Sequence, residues 1–190
     1  MNARQKLIDT TARLLQTAGY HHTGLNQIVA ESGAPKGSLY HYFPGGKVAL
    51  AVAALEQSAS QLAQGLAQLC MPHADAESAV SAVIDFFIQE LESSNYTKGC
   101  PVATTTLEQA ALTPEIRDAC ARAYRLWQGG LEAYFSGHGM GANQATFLAE
   151  HLLMLIEGAL LLARAQHSCD PLRRLKTHLP TLIQSSKGVF

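Results

Sequence analysis

The sequence is poor in charged side chains, which make up 15% of its 190 residues, and in aromatic side chains, which make up 7%. Apolar residues reach 47%, which is enough for the hydrophobic core of one or two compact domains and argues against disorder. No segment alternates apolar and polar residues with the period of two that a half-buried strand requires. The sequence therefore predicts an all-α protein, and it contains no internal repeat and no low-complexity linker.

A long uninterrupted apolar run is absent too. The most apolar window, FLAEHLLMLIEGALLLARAQ, is interrupted by Glu150, His151, Glu157 and Arg164, whereas a membrane helix needs ~18 or more apolar residues in succession. The first residues, MNARQK, are polar and lead into an amphipathic pattern rather than into the apolar core of a signal peptide. We therefore expect a cytoplasmic protein with no membrane partner.

Signatures of metal binding and catalysis are also lacking. The four cysteines form no C-x-x-C pair and have no histidine at zinc-ligand spacing, so we expect reduced, inert thiols. His21, His22 and His41 have no neighbouring ligands, and contact with solvent or phosphate accounts for them better than a metal does. No nucleophile–base pair or phosphate-binding glycine loop accompanies the remaining candidate carboxylates, which are Glu90, Glu92 and Glu108. The sequence predicts no enzyme, no metal and no cofactor.

The charged side chains are distributed unevenly along the chain. Residues 1–47 carry five basic side chains and two acidic ones, whereas the other 143 residues carry nine basic and thirteen acidic ones. A basic N-terminal segment on an acidic remainder indicates that only this segment contacts a polyanion.

Helical periodicity covers most of the chain and predicts about nine helices. Gly19 ends the first helix, Thr23 is the expected N-cap of the second and Gly33 its end, and Pro35 opens a third that FPGG interrupts. The remaining helices are expected at 47–70, 75–93, 101–112, 114–135, 142–167 and 170–186.

The segment GAPKGSLYHYFPGGK places aromatic and basic side chains on the short third helix. Leu39 and Phe43 are four residues apart and therefore share the face that packs inward. Two helices joined by a tight turn resemble a helix-turn-helix unit, whose second helix enters the DNA major groove. Base contacts are then expected from Gly37, Ser38, Tyr40 and His41. Phosphate contacts are expected from Thr23, Lys36, Tyr42 and Lys47.

The stretch TGLNQIVAESGAPKGSLYHYFPGGKVAL resembles the DNA-binding segment of TetR-family transcriptional regulators, and residues 1–50 follow that pattern nearly throughout. The family pattern is matched at Thr23, Gly33, Lys36, Gly37, Ser38, Leu39, Tyr40, His41, Tyr42, Phe43 and Lys47. Pro35 departs from it, since a serine or threonine is more usual there. FPGGK and KGCPVATTTLEQAA are similar to a subgroup typified by lincomycin-type and quercetin-type responsive repressors. The resemblance implies nine helices, a homodimer and an effector cavity in the C-terminal body.

The resulting domain prediction is a helix-turn-helix DNA-binding domain at 1–47 and an effector-binding and dimerisation domain at 48–190. We expect a ligand-responsive regulator, a repressor that a small hydrophobic effector releases from a palindromic double-stranded operator. The alternative is a helical ligand-binding or interaction module with a vestigial DNA-binding segment.

Within the body, small apolar residues with a few polar groups are typical of a small-molecule site. The residues expected to bind the effector are Cys100, Thr104, Leu107, Glu108, Tyr124, Trp127 and Met154. Aromatic residues at helical spacing are more often plain core. Gly129 and Gly130 indicate either close helix packing or a mobile point.

The last two helices carry more apolar surface than one partner helix covers, which indicates a dimer interface. Its expected residues are Leu152, Leu155, Ala159, Leu175, Leu179 and Leu182. The alternative is a central helix of a monomer.

Overall fold

The computed structural model describes residues 2–186, and this part of the chain contains nine α-helices and no strand. The all-α prediction is thereby confirmed. The helices are α1 (Ala3–Ala18), α2 (Leu25–Ser32), α3 (Lys36–Tyr42), α4 (Gly46–Cys70), α5 (Ala76–Ser93), α6 (Pro101–Gln109), α7 (Pro114–Gly137), α8 (Ala142–Gln166) and α9 (Asp170–Ser186).

Local capping explains several of the helix boundaries. The Asn2 side chain accepts a hydrogen bond from the backbone N–H of Gln5 at 2.8 Å, and Asp75 accepts one from Ser78 at 2.8 Å, so that each begins its helix. Gly33 ends α2 in the left-handed conformation, with φ at 61° and ψ at 20°. A residue with a Cβ adopts that conformation less readily, which is why a glycine stands there.

The starts of α2 and α3 are among the helix boundaries that differ from the sequence prediction. The N-cap of α2 is Gly24 rather than Thr23, because the Thr23 hydroxyl is buried and donates to the carbonyl oxygen of Gly19 at 2.6 Å. Pro35 is the N-cap of α3 rather than its first residue. Its ψ of 137° is extended, so the helix begins one residue later.

The chain divides into two compact units. The first combines the chain up to Gln61 with Cys100–Tyr124, and the second combines Leu62–Gly99 with the chain from Arg125 onward. The first unit therefore contains α1, α2, α3 and α6 whole, together with the beginnings of α4 and α7. Its buried side chains include Leu7, Leu15, Ile28, Leu39, Phe43, Leu50, Leu55 and Ile116.

The second unit is built on α5, α8 and α9, with the ends of α4 and α7. Its core contains Ile84, Phe135, Leu148, Leu152, Leu172 and Leu179, each fully buried. Helix α8 is long and apolar enough to cross a membrane by length and composition. It nevertheless buries eight of its side chains in this core, as the central helix of a helical domain does.

One face of α8 remains uncovered within the protomer. Met154, Leu155, Leu161 and Leu162 are large apolar side chains that lie exposed. Of the charged residues Glu150, Glu157 and Arg164 on this helix, Glu150 is exposed and the other two are half-buried. Arg164 instead donates hydrogen bonds to the carbonyl oxygens of Tyr96 and Thr97, both at 3.4 Å.

Candidate DNA-binding surface and cavities

Helices α2 and α3 are joined by a tight turn at Gly33 and Ala34. Ala34 is buried, and the hydroxyl of Ser32 accepts a hydrogen bond from its backbone N–H at 3.2 Å. Leu39 and Phe43 point into the core and are 2% and 4% exposed. The predicted inward face of α3 is confirmed, so the opposite face is directed at solvent.

The exposed face of α3 carries the aromatic and basic groups predicted from the sequence. Tyr40 is 64% exposed and Tyr42 40% exposed, and the remaining exposed members of this α3 surface are Lys36, Gly37 and His41, with Ser38 half-buried. A Cβ added to Gly37 would meet nothing within 4 Å. The backbone at Gly37 is therefore open to close approach by a partner.

His41 and Tyr42 are organised relative to each other. Their ring centroids lie 4.8 Å apart with an interplanar angle of 71°, which is the edge-to-face geometry that aromatic pairs favour. The pair presents hydrogen-bonding groups and ring edges together at the end of α3.

Neither α2 nor α3 has a side-chain cap at its N-terminus. The caps are Gly24 and Pro35, neither of which has a side-chain acceptor for the first backbone N–H groups. Helix N-termini with such N–H groups favour anions, because the groups carry partial positive charge. The start of α3 thus adds attraction for phosphate to the α3 surface, and the start of α2 has the same property.

The two acidic side chains of residues 1–47, Asp9 and Glu31, are both hydrogen-bonded within the protomer. Glu31 forms an ion pair with Arg13 and accepts a hydrogen bond from Gln27 at 2.9 Å. The hydrogen bond from Arg13 lowers the pKa of the Glu31 carboxyl, with a smaller contribution from Gln27. Asp9 accepts hydrogen bonds from Gln5 at 2.8 Å and from Gln57 at 2.6 Å. The exposed ammonium of Lys36 supplies positive charge at the start of α3.

Two residues predicted to contact phosphate are placed differently. Thr23 is 1% exposed and its hydroxyl is occupied by Gly19, so this side chain serves the turn and is not available to DNA. Lys47 is half-buried, with its Nζ 4.0 Å from the centroid of the Tyr20 ring, in a cation–π arrangement. Burial lowers the pKa of the Lys47 ammonium, and the negative charge of Glu108 acts in the opposite direction.

Glu108 itself lies against the DNA-binding segment. Its Oε2 accepts hydrogen bonds from the backbone N–H of Tyr20 at 2.6 Å and of His21 at 3.0 Å. We predicted an effector contact for Glu108, and its carboxylate is instead engaged by the turn after α1. Sequence reasoning missed this contact because the partners are 88 and 87 residues apart.

The second unit contains a cavity of about 370 Å³ between α4 and α7, which we call the α4–α7 cavity. Its wall is lined by Ala63, Leu66, Ala67, Cys70, Met71, Leu126, Trp127, Gly130, Leu131, Tyr134 and His138. None of these lining residues is acidic, lysine or arginine. The Tyr134 hydroxyl donates to the carbonyl oxygen of His73 at 3.0 Å, and Nδ1 of His138 lies 2.8 Å from the carbonyl oxygen of Tyr134.

The residues predicted to bind an effector do not come together around this cavity. Trp127 lines it, Met154 lies on α8 in a different groove, and Leu107 is 77% exposed on α6. Cys100 caps α6, where its Sγ accepts from the N–H of Ala103 at 3.4 Å. Thr104 donates to the Cys100 carbonyl at 3.1 Å, and Tyr124 is half-buried in the first unit.

A second concave surface lies between α8 and α9, with a volume of about 640 Å³, and we call it the α8–α9 groove. Of the residues predicted for a dimer interface, Leu155, Ala159, Leu175 and Leu182 line this groove. Leu152 and Leu179 are each 0% exposed in the protomer's own core. These two therefore stabilise the protomer and have no surface to offer a partner.

Gly129 and Gly130 also lie in this unit, within α7. A Cβ at either position would meet nothing within 4 Å. The predicted close helix packing is therefore not the reason for these glycines. Separately, residues 2–186 contain no group of three or more His, Cys, Asp or Glu side chains placed to hold a metal ion.

Comparison with known families assigns both parts of the chain. A family model described as bacterial regulatory proteins, tetR family, matches residues 7–54. A second model, described as the C-terminal domain of LmrA/YxaF-like transcriptional regulators, matches residues 76–178. The two matches together include α3 and most of the second unit.

Individual proteins match over nearly the whole length. The HTH-type transcriptional regulator YxaF of Bacillus subtilis is 32% identical over 183 residues, covering 96% of both chains. The regulator LmrA of the same organism is 31% identical, covering 96% of this chain and 97% of that one. The crystal structure of regulatory protein TetR from Rhodobacter sphaeroides superposes with a TM-score of 0.81 at 25% identity, covering 96% and 97% of the two chains.

Proposed function

Because this chain belongs to the TetR family of transcriptional regulators, we propose that it is a cytoplasmic repressor that a small hydrophobic effector releases from a palindromic operator. Regulators of this family bind DNA and typically act as dimers with small-molecule effectors. The observation that carries the proposal is the α3 surface, where aromatic and basic side chains are exposed on a helix whose N-terminus has no side-chain cap.

Base readout is assigned to the middle of α3. Gly37 admits close approach of the backbone, and Ser38, Tyr40 and His41 supply donors, acceptors and aromatic edges for the major groove. Lys36 and Tyr42 lie at the two ends of the helix, where phosphate contacts set the register without reading sequence. Lys47 acts indirectly, because its ammonium is placed over the Tyr20 ring.

A second copy of the chain is the proposed occupant of the α8–α9 groove. The groove is lined by Leu155, Leu162, Leu175 and Leu182, and Arg174 and His178 stand among these apolar side chains. Pairing two such faces forms a four-helix arrangement that covers the exposed leucines of α8. A dimer also presents two α3 helices, as a palindromic operator requires.

The α4–α7 cavity is the proposed effector site. A mostly apolar wall without acidic, lysine or arginine residues favours a neutral apolar molecule, because a charged one would lose hydration without a partner. The likeness to LmrA/YxaF-like C-terminal domains and the KGCPVATTTLEQAA resemblance support the responsive-repressor subgroup. A planar hydrophobic compound that contacts Trp127 fits this wall.

The switch acts through α4, a continuous helix of 25 residues that contributes to both units. Ala63, Leu66 and Ala67 of α4 line the cavity, so a bound compound displaces this helix and with it the spacing of the two α3 helices. These helices must match major grooves about 34 Å apart, or a multiple of that distance. A compound that prefers the DNA-incompetent state 100-fold contributes about 2.7 kcal/mol per site towards release.

Selection from a random-sequence DNA library tests the central claim. We expect the full chain to enrich a palindromic sequence with two half-sites, and alanine at His41 to change the enriched bases. If no sequence is enriched, the alternative of a helical ligand-binding module with a vestigial DNA-binding segment replaces the proposal. A Trp127 fluorescence titration with neutral planar compounds, with and without the enriched duplex, then tests the switch, because linkage requires weaker binding when DNA is present.

A further inference from the structure

We propose that Glu108 is a positioning residue for operator binding, and that its carboxylate fixes the DNA-binding helices on α6. This inference rests on the proposed function of the α3 surface. Glu108 touches no part of that surface, so its effect on DNA would be exerted through the turn that joins α1 to α2.

The α1–α2 turn comprises residues 19–24. A single carboxylate oxygen of Glu108 accepts two of its backbone N–H groups, those of Tyr20 at 2.6 Å and His21 at 3.0 Å. Hydrogen bonds to an ionised acceptor are stronger than neutral ones. Two such bonds to adjacent residues fix both the distance and the direction of the turn relative to α6.

Gly19 allows this approach. Its φ of 77° and ψ of 179° lie in a region open almost only to glycine, and a Cβ at this position would stand 2.5 Å from Oε1 of Glu108. The other oxygen of the same carboxylate thus rests against the Gly19 backbone. Both oxygens are in contact with the α1–α2 turn.

The start of α4 joins the same cluster. Nζ of Lys47 lies 4.0 Å from the centroid of the Tyr20 ring, and the charge of Glu108 favours the ammonium form against the effect of burial. Lys47 follows α3 by five residues, while Tyr20 precedes α2 by five residues. Glu108 therefore acts on both flanks of the segment that contains α2 and α3.

A neighbouring pair reinforces the contact. The hydroxyl of Thr113 donates to the side-chain oxygen of Gln109 at 2.9 Å, which directs the amide nitrogen of Gln109 to Nε2 of His21, 3.2 Å away. Gln109 is 5% exposed. The end of α6 thus holds Tyr20 and His21 by backbone and side chain together.

Removing the carboxylate frees two N–H groups at a turn where His21 and His22 are exposed to water. We expect the fold to survive, because water can replace the lost acceptor, and the turn to become less constrained. The test uses the full chain and an operator duplex that the wild-type protein selects from random DNA. Fluorescence anisotropy measures affinity, and hydrogen exchange measures protection of the Tyr20 and His21 amides.

We expect Glu108→Ala to weaken operator binding by about tenfold, with unchanged helicity and faster exchange of both amides. Glu108→Gln should restore affinity to within about threefold and keep both amides protected, because its carbonyl oxygen can replace Oε2. Glu115→Ala, which removes an exposed carboxylate at the start of α7 in the same unit, is the matched control and should behave as wild type.

Wild-type operator affinity in Glu108→Ala would overturn the inference. An operator affinity of Glu108→Gln as low as that of the alanine variant would overturn it too. If Glu108→Ala does not fold, the glutamine variant decides: it must keep operator affinity and protect both amides. If the wild-type protein selects no sequence, the proposed function fails together with this inference. A selected operator with no effect of Glu108 contradicts this inference alone.

Discussion

Gly19 and Glu108 are in direct contact, although 89 positions separate them in the sequence. Oε1 of the carboxylate stands 2.5 Å from the point where a Cβ of residue 19 would be. The absence of that Cβ lets α6 approach the end of α1, so one glycine determines whether the two segments can pack.

Gly19→Ala is therefore expected to lower the free energy of unfolding by roughly 2 kcal/mol, from backbone strain and from the contact with Glu108. In a Glu108→Ala background the loss should be smaller by about 1 kcal/mol, because only the backbone strain remains. Urea unfolding of the four variants measures this coupling. Strictly additive effects would show that the two residues do not interact.

On the α3 surface, Lys36→Ala and His41→Ala should have different consequences. Loss of Lys36 should weaken cognate and random DNA alike and reduce the salt dependence by about one slope unit for each subunit. Loss of His41 should change base preference, at about 1 to 3 kcal/mol for each good contact. Affinity titrations at several salt concentrations separate the two.

Arg125→Ala, which removes an exposed positive charge on α7, is the control for both variants. It should leave base preference unchanged. The division of roles between Lys36 and His41 is wrong if both substitutions affect cognate and random DNA by the same factor.

The α8–α9 groove leads to a contrast between two leucines. Leu155→Glu places a charge at a side chain that is 43% exposed, so we expect a folded monomer with weak operator binding. Leu179→Glu places a charge at a fully buried side chain, so we expect loss of helicity and aggregation. Sedimentation with circular dichroism distinguishes these results. A Leu155→Glu protein that sediments as a dimer would rule out the groove as the interface.

These leucines show what the sequence could predict and what it could not. The face of α3 followed from Leu39 and Phe43, since spacing within one helix determines direction. Leu155 and Leu179 lie on the apolar stripes of α8 and α9, and periodicity does not show which apolar side chains pack within the protomer and which are left for a partner. Thr23 and Glu108 each make a specific contact within the protomer that the sequence did not indicate. A threonine hydroxyl or a glutamate carboxylate can bind many different partners, so residue type alone does not identify the contact that each side chain makes.

In α7, the two glycines should respond differently to substitution. Gly129→Ala should raise the free energy of unfolding by up to about 1 kcal/mol, because alanine favours helix and its Cβ meets nothing within 4 Å.

The leucine side chain of Gly130→Leu should occupy the α4–α7 cavity, which Gly130 lines. Quenching of Trp127 by a neutral naphthalene-type fluorophore should then disappear in Gly130→Leu and persist in Gly129→Leu. Equal quenching in both leucine variants would contradict the assignment of the cavity.

Alkaline pH should destabilise the protein, because the Cys120 thiol and the Tyr20 phenol are buried and would have to ionise there. Burial raises the pKa of the Cys120 thiol and of the Tyr20 phenol. Because the folded-state pKa exceeds the unfolded one, their contribution to stability is complete below the unfolded values of about 8.5 and about 10, and is lost as pH rises above them. Cys120→Ala should therefore lose less stability than wild type between pH 8 and pH 10. Identical pH slopes in urea unfolding would contradict this.

The way the first unit is assembled from the chain limits which chimeras of this protein can fold. Its helices come from two separate stretches of the chain, up to Gln61 and from Cys100 to Tyr124. A chimera that joins residues 1–61 to a foreign body would leave Tyr20 and His21 without Glu108, and α1 without α6 packed on it. Transfer of DNA specificity between such regulators is therefore best attempted by exchanging the exposed residues of α3 alone, within an otherwise intact chain.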